Sequence, residues 1–277
     1  MLPRMRRIAI WALKRAAFVY LFCLAALALL QNYAIFPGQL LGWLEPPYTP
    51  APGVEPVEVT TADGERLFGY FRAPDPGSGL VVSFHGNGMF PGQHAARFET
   101  GPWRTHGWGF LCVTYRGYAR STGRPSEAAG LRDGEVILAL ARTRAPGAPI
   151  LFHGHSLGTA FATALAAKHE GVGLYLEAPF VSMSALVADR FPFYPTAALL
   201  SDTFRTDLRI DRVRSLIVIV HGSDDLVVPL ASGRALAAVA GPRAQFVALP
   251  GDHFAILGAR DAEVAAALRP AAIPASP

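Results

Sequence analysis

Ser156 is the side chain in this sequence best placed to act as a nucleophile. It lies in the pentapeptide Gly154-His155-Ser156-Leu157-Gly158, after an apolar run at 149–152 and before a run of mostly small residues at 159–168. A strand, the pattern G-x-S-x-G and a helix together predict a nucleophile elbow, a tight turn that exposes the serine hydroxyl above a sheet. Serine beside glycine is also ordinary turn chemistry, so the prediction needs partner residues.

A serine hydroxyl attacks a carbonyl only when a base takes its proton, and that base is oriented by an acid. After such an elbow the acid and the histidine follow in that order at later strand ends. The apolar run 216–220 leads into Asp224 and Asp225, and the run 245–249 leads into His253. His253 is predicted to be the base because it alone, among the histidines after Ser156, directly follows a terminal strand. Spacing leaves both aspartates open as the acid.

Two backbone N–H groups are expected to stabilise the oxyanion of such a reaction. The residue after the serine, Leu157, is predicted to supply one of them. The apolar run 80–84 ends in His-Gly-Asn-Gly, and Asn87 is predicted to supply the second. Met89 and Phe90 follow and are predicted to make the mouth of a substrate pocket apolar, although core packing explains them equally well.

The apolar runs that must position these residues alternate with stretches compatible with helices. Strands are predicted at 57–61, 66–71, 80–84, 110–113, 150–152, 174–176, 216–220 and 245–249, and helices at 126–144, 156–168, 230–240 and 261–268. Asp63-Gly64 between the first two runs indicates a hairpin. The alternation predicts an α/β fold with about eight mostly parallel strands and helices on both faces. Functional residues of such sheets lie at the carboxyl ends of the strands.

Composition excludes several kinds of partner. The 277 residues are 51% hydrophobic and 17% charged, which suits one large α/β domain or two small ones. The net charge of +4 comes from residues 1–15, which carry five basic and no acidic side chains, so the rest of the chain is close to neutral and gives no reason to expect nucleic acid. Cys23 and Cys112 suggest neither a disulfide nor a metal site. The predicted chemistry needs no metal and no cofactor.

The N-terminal segment reads as a membrane anchor. Residues 16–36 are apolar except for Gln31 and Asn32, and this is about the length of ~20 residues that a helix needs to cross hydrocarbon. The basic cluster before it predicts a cytoplasmic N-terminus and a catalytic domain on the other side of the membrane. A cleaved signal peptide and an interfacial helix are the alternatives. We expect the anchor at 1–36, a proline-rich linker at 37–56, the catalytic domain at 57–269 and a disordered tail at 270–277.

These motifs resemble the α/β-hydrolase superfamily, and within it the membrane-anchored serine hydrolases of the ABHD and Bem46-like kind. The resemblance runs from about Gln31 to about Leu268 and is carried by the segments 84–88, 115–126, 176–180 and 221–229. The family pattern His-Gly-x-x-Asp-x-x-Val-Pro implies that Asp225 is the acid. Ala119 stands where a glycine is usual and Phe254 where a polar residue is common, which leaves the substrate preference open.

The resemblance implies a serine hydrolase that cleaves carboxylic esters through an acyl-enzyme, with Ser156, Asp225 and His253 as the triad. An enzyme tethered to a bilayer meets acyl lipids, so a lipid-like acyl ester is the expected substrate. A protein acyl-thioesterase and a catalytically silent membrane scaffold are the alternatives. The arginine- and alanine-rich composition favours a GC-rich bacterial genome, and the domain is then expected to be periplasmic or extracytoplasmic. Acyl length, head group and oligomeric state are not predicted.

Overall fold

The computed structural model describes residues 2–268 and contains one eight-stranded sheet. The strands lie side by side in the order β1-β2-β4-β3-β5-β6-β7-β8. Their bounds are β1 Glu55–Thr60, β2 Arg66–Arg72, β3 Leu80–Phe84, β4 Gly109–Val113, β5 Ile150–His155, β6 Gly173–Glu177, β7 Leu216–Gly222 and β8 Ala244–Leu249. β2 pairs antiparallel with β1 and β4, and all other pairs are parallel. The predicted mostly parallel sheet is confirmed.

Helices connect the strands. The longest helix predicted between strands, at 126–144, is observed as α5 at Glu127–Arg144. Ser126 caps that helix, α5, by accepting a hydrogen bond from the Ala129 N–H. The α-helices are α1 Leu2–Ile35, α2 Gly38–Leu41, α3 Pro91–Phe98, α4 Gly101–Thr105, α5 Glu127–Arg144, α6 Gly158–Ala166, α7 Met183–Arg190, α8 Thr196–Leu199, α9 Asp207–Ile210, α10 Leu230–Ala240 and α11 Asp261–Ala267. The tail predicted at 270–277 lies outside the described residues.

The sheet is covered on both faces, as its strands of continuous apolar residues require. Along β3, Val81 belongs to one buried cluster, with Phe110 and Tyr175, while Val82 belongs to the other, with Phe152. Successive side chains of a strand point to opposite faces, so the two clusters are the two halves of the core. Each face of the sheet is therefore packed by one half of the core.

The N-terminal helix α1 is 34 residues long, and residues 4–35 are long and apolar enough to cross a membrane. Its last turn is docked on the rest of the chain. The Asn32 side chain donates to the Pro125 carbonyl at 2.8 Å, and Ile35 and Phe36 are buried in the core. After α1 come α2 and a short 3₁₀ turn at Gly42–Leu44, and β1 begins at Glu55. The predicted anchor and the predicted domain therefore share a packed contact.

Candidate active site

The predicted elbow connects β5 to α6, and Ser156 lies at its tip. Ser156 has a φ of 49°, in the left-handed region that residues with a side chain rarely adopt. A methyl group on Gly158 would overlap the Phe84 carbonyl oxygen, and one on Gly154 would lie 2.5 Å from the Gly158 oxygen. Both positions therefore require glycine. This is the strained, tightly packed turn that the pentapeptide predicted.

Ser156 is more enclosed than the sequence suggested. Only 7% of the residue is exposed. The loop after β3 contributes to this enclosure, because Gly86 of that loop lies close to the elbow. A Cβ atom added to Gly86 would be 3.5 Å from the Ser156 Cβ and 2.7 Å from the His155 ring. Gly86 precedes Asn87, so the structure brings the serine against the loop predicted to supply an oxyanion N–H.

Asp225 and His253 lie together at the ends of β7 and β8. The His253 Nδ1 is 2.7 Å from the Asp225 Oδ2. The other carboxylate oxygen, Oδ1, accepts the Val227 and Val228 N–H groups at 2.8 Å each. Burial opposes ionisation of Asp225, but hydrogen bonds from His221, His253 and Val228 outweigh it and hold the carboxyl pKa below its usual range. An ionised carboxylate of this kind keeps the proton of His253 on Nδ1.

The loop after β8 carries His253, the predicted base, and we name it the base loop. It packs against the elbow through the residue before Ser156. The His155 and His253 rings lie 5.0 Å apart, and the His155 Nε2 is 3.3 Å from the His253 carbonyl oxygen. Burial lowers the pKa of His155 to about 3, so this ring is neutral. The ring of His155, at the end of β5, thus packs against the ring of His253.

Asp224, the other aspartate, has a different place. It is exposed, and its Oδ2 accepts the Gly251 N–H at 3.3 Å and the Ser223 hydroxyl at 3.1 Å. The contact with Gly251 joins the two loops that follow β7 and β8. The structure places Asp225, and not Asp224, against the histidine ring.

The loop after β3 carries Asn87, and we name it the oxyanion loop for its predicted role. It is held by residues to which the sequence assigned no role. The Gly86 carbonyl accepts the Met89 N–H at 3.2 Å and lies 2.8 Å from the His85 Nδ1. A trans peptide points its N–H opposite to its carbonyl, so these bonds set the direction of the Asn87 N–H. Burial lowers the pKa of His85 to about 4, which keeps one ring nitrogen available to accept from Thr114 at 2.9 Å.

Two tyrosines that follow β4 complete this support. The Tyr118 hydroxyl donates to the Asn87 carbonyl at 2.9 Å, and the Tyr115 hydroxyl donates to the His85 carbonyl at 2.5 Å. Both lie in the segment 115–126 that carries the family resemblance. Ala119 of that segment has a φ of 46°, the region that favours glycine, which explains why a glycine is usual there.

The remaining predicted site residues lie near this loop. The Leu157 N–H is at the first turn of α6, where unpaired amides and the helix dipole favour negative charge. Met89 and Phe90 are both buried, and the Phe90 ring packs at 6.4 Å from the Tyr118 ring. Contact of Met89 and Phe90 with a substrate stays a prediction.

A buried ionic cluster lies beneath the elbow. The Glu177 carboxylate accepts from Arg97 at 2.6 and 3.0 Å, from Tyr175 at 3.0 Å and from the Gly258 N–H at 2.8 Å, and it lies 2.9 Å from the His153 Nε2. Burial alone would raise the pKa of Glu177, but the charge of Arg97 and the bond to His153 hold it well below its usual range. The only sequence signal was the position of Glu177 in the motif 176–180. Within residues 2–268 no group of three or more acidic, histidine or cysteine side chains is arranged to hold a metal.

Comparison with known proteins supports the α/β-hydrolase fold. The model of the family described as serine aminopeptidase, S33, matches residues 75–209, a stretch that contains the elbow. An uncharacterized protein of Mycobacterium tuberculosis is 37% identical over 208 residues, which are 72% of each chain. Human alpha/beta hydrolase domain-containing protein 17B is 28% identical over 187 residues, 66% of this chain and 63% of its own length. Among solved structures, an esterase of Pyrococcus furiosus has a TM-score of 0.64 at 14% identity, covering 81% of this chain and 96% of that chain.

Proposed function

Since the chain belongs to the α/β-hydrolase superfamily and is a hydrolase of the ABHD type, we propose that it cleaves carboxylic esters of lipid-like acyl substrates with Ser156 as its nucleophile. The observation that carries the proposal is the 2.7 Å contact between the His253 Nδ1 and the Asp225 Oδ2, in a loop that packs on the strained elbow with Ser156 at its tip. Side chains in this order and at these strand ends do acyl-transfer chemistry.

In the proposed reaction the Ser156 Oγ attacks the ester carbonyl while the His253 Nε2 takes its proton. Asp225 keeps the other ring nitrogen protonated and stabilises the imidazolium that forms. The Asn87 and Leu157 N–H groups hold the oxyanion of the tetrahedral intermediate. His253 then returns the proton to the leaving alcohol, and a water, deprotonated by the same histidine, hydrolyses the acyl-enzyme. Met89 and Phe90 give the acyl group an apolar entrance.

We further propose that α1 is a single-pass anchor, with the basic N-terminus cytoplasmic and the catalytic residues on the extracytoplasmic side. The length of the apolar helix and the five basic side chains in its first 15 residues support this arrangement. We propose that the chain is divided into the anchor at 1–36, the linker at 37–56 and the catalytic domain at 57–269. An enzyme so held meets acyl lipids of its own membrane.

The test is a substrate panel on the full-length chain in detergent. p-Nitrophenyl esters of graded chain length, a monoacylglycerol and a matched acyl thioester are compared for the wild type and Ser156→Ala. Ester turnover that exceeds thioester turnover and is lost in the variant supports the proposal. Higher turnover of the thioester would favour the acyl-thioesterase alternative. If the wild type neither hydrolyses any substrate of the panel nor reacts with a fluorophosphonate, the silent-scaffold alternative is favoured.

A further inference from the structure

Five exposed apolar side chains lie in the loops of the proposed acid and base and in the segment bonded to the acid loop, and we name them the apolar rim. Leu226 and Val227 directly follow the acid, and Phe254 directly follows the base. Phe191 and Phe193 come from the segment 183–200, which contains α7 and α8 and is named the insert. Phe193 and Leu226 are each 83% exposed. Apolar side chains this exposed are not core residues, and their grouping around one site needs an explanation.

The insert is hydrogen-bonded to the loop after β7 that carries Asp225, which we name the acid loop. The Arg190 side chain donates to the Leu226 carbonyl at 2.6 Å. The His253 and Phe254 rings lie 5.2 Å apart. The apolar rim therefore has members from the acid loop, the base loop and the insert, and the insert is bonded to the acid loop through Arg190.

The insert also lies along the apolar helix α1. The Tyr20 hydroxyl donates to the Phe193 carbonyl at 2.9 Å, the Gln31 side chain donates to the Leu199 carbonyl at 2.9 Å, and the Ser201 N–H donates to the Gln31 Oε1 at 2.8 Å. At a rise of about 1.5 Å per residue, Tyr20 and Gln31 are about 16 Å apart along the helix. Contact over that length places Phe193 beside the apolar stretch 16–30, not beyond its end.

These contacts have the polarity that a segment entering hydrocarbon needs. Backbone carbonyls cannot be hydrated inside a bilayer and must be satisfied by the protein. Tyr20 and Gln31 satisfy the Phe193 and Leu199 carbonyls at the positions where the insert meets α1. Asp189 and Arg190 are the charged residues of the insert, and the stretch 191–200 after them, which contains Phe193, has no charged side chain.

We propose that the apolar rim and the insert enter the hydrocarbon of the bilayer beside α1, so that the active site opens to the lipid phase and takes its acyl substrate from there. The apolar rim contacts the lipid of the bilayer, because the insert that carries part of it lies along α1, the helix proposed to cross that bilayer. This inference rests on the proposed function, since it takes α1 to be a membrane span.

The first test measures the depth of Phe193 in the full-length chain reconstituted in phosphatidylcholine vesicles. Phe193→Cys carries an environment-sensitive fluorophore in a Cys23→Ser background, where the buried Cys112 does not react. Val239→Cys is the matched control, because Val239 is 46% exposed near the far end of α10, toward the opposite edge of the sheet. We expect nitroxide-labelled acyl chains to quench the label at 193 and not at 239. Equal, weak quenching at both positions would overturn the inference, as would energy transfer between chains showing a second copy on the rim.

The second test separates this inference from the proposed function. Phe193→Glu is expected to lower hydrolysis of an ester embedded in vesicles about tenfold or more, since a charge on a lipid-facing surface is costly. Hydrolysis of a soluble short-chain ester should stay within about twofold, as it should for Val239→Glu. An equal loss of hydrolysis of both esters in Phe193→Glu, together with an unquenched label at 193, would contradict the inference. If the wild type hydrolyses neither ester, the proposed function fails, whatever the depth of Phe193.

Discussion

The Ser156 N–H donates to the Glu177 carbonyl at 2.9 Å, so the turn that carries the proposed nucleophile is hydrogen-bonded to the end of the neighbouring strand β6. The side chain of the same Glu177 accepts the Gly258 N–H at 2.8 Å, in the loop that follows His253. One buried residue therefore joins the turn of the proposed nucleophile to the loop of the proposed base. Its charge is balanced by Arg97, which also contacts Asp261.

Glu177→Gln should weaken both the fold and the catalytic geometry. The substitution keeps the shape but leaves Arg97 partly unpaired in the core, so the free energy of unfolding should fall by about 3 kcal/mol. Glu135→Gln is the control, because Glu135 pairs with Lys168 and His169 at the surface and should cost less than about 1 kcal/mol. Urea unfolding of both variants measures the difference. Similar losses for the two would show that the buried cluster has no special role.

Tyr118→Phe should impair turnover without unfolding the chain. It removes the hydrogen bond to the Asn87 carbonyl and keeps the ring that packs on Phe90. A looser oxyanion loop should lower kcat about tenfold with little change in KM. Tyr48→Phe is matched, since it removes a hydroxyl that bonds Glu99 outside the site. An unchanged kcat in Tyr118→Phe, or an equal loss in both variants, would count against the support assigned to Tyr118.

The two adjacent aspartates should differ sharply in their effect on turnover. Asp225→Asn changes the group that orients the His253 ring and should lower kcat by about 10⁴-fold. Asp224→Asn changes a carboxylate that braces the Gly251 N–H and should lower kcat no more than a few-fold. Steady-state kinetics on one short-chain ester compares them. A larger loss in Asp224→Asn would reverse the assignment of the acid.

Stability should decline as pH falls below about 6.5. Burial lowers the pKa of His85 to about 4, and it also lowers the pKa values of His94, His153 and His155. Between pH 6.5 and 4 the unfolded chain binds these protons and the native chain does not, so protonation favours unfolding. His85 alone should cost about 2 kcal/mol at pH 5.

A second decline should follow at lower pH, because the carboxyls of Asp225 and Glu177 have lowered pKa values in the native chain. Their stabilisation is present above about pH 4 and is lost below it. Thermal unfolding of the full chain in detergent from pH 8 to pH 3 measures both phases. His85→Gln, which cannot titrate, should flatten the first phase. A melting temperature that is constant or rises from pH 7 to pH 5 would contradict the role of the buried histidines.

Much of the sheet could be predicted because its strands are continuous apolar runs bounded by turns. β3 has the predicted bounds, whereas β5 continues three residues further, to His155. It continues because Gly154 and His155 still pair with Leu176 and Glu177. The apolar content of the sequence does not show which residues pair between strands, so the end of β5 could not be predicted from it.

The support of the site could not be predicted, since it comes from contacts between distant segments. Tyr118 reaches Asn87 because β4 lies beside β3 in the sheet, an order that no local pattern encodes. Arg97 meets Glu177 across 80 positions of sequence. The helices α8 and α9 are four residues each, too short to show a helical period.

Covalent labelling of Ser156 tests the central claim most directly. The full-length wild type, Ser156→Ala and Ser223→Ala are treated with a fluorophosphonate, and the modified peptide is identified by mass spectrometry. Ser223 is a control because its hydroxyl donates to Asp224 in the exposed part of the acid loop. We predict stoichiometric modification of Ser156 in the wild type and in Ser223→Ala, and none in Ser156→Ala. Undiminished labelling of Ser156→Ala, or a wild type that does not react, would contradict the assignment of Ser156 as the nucleophile.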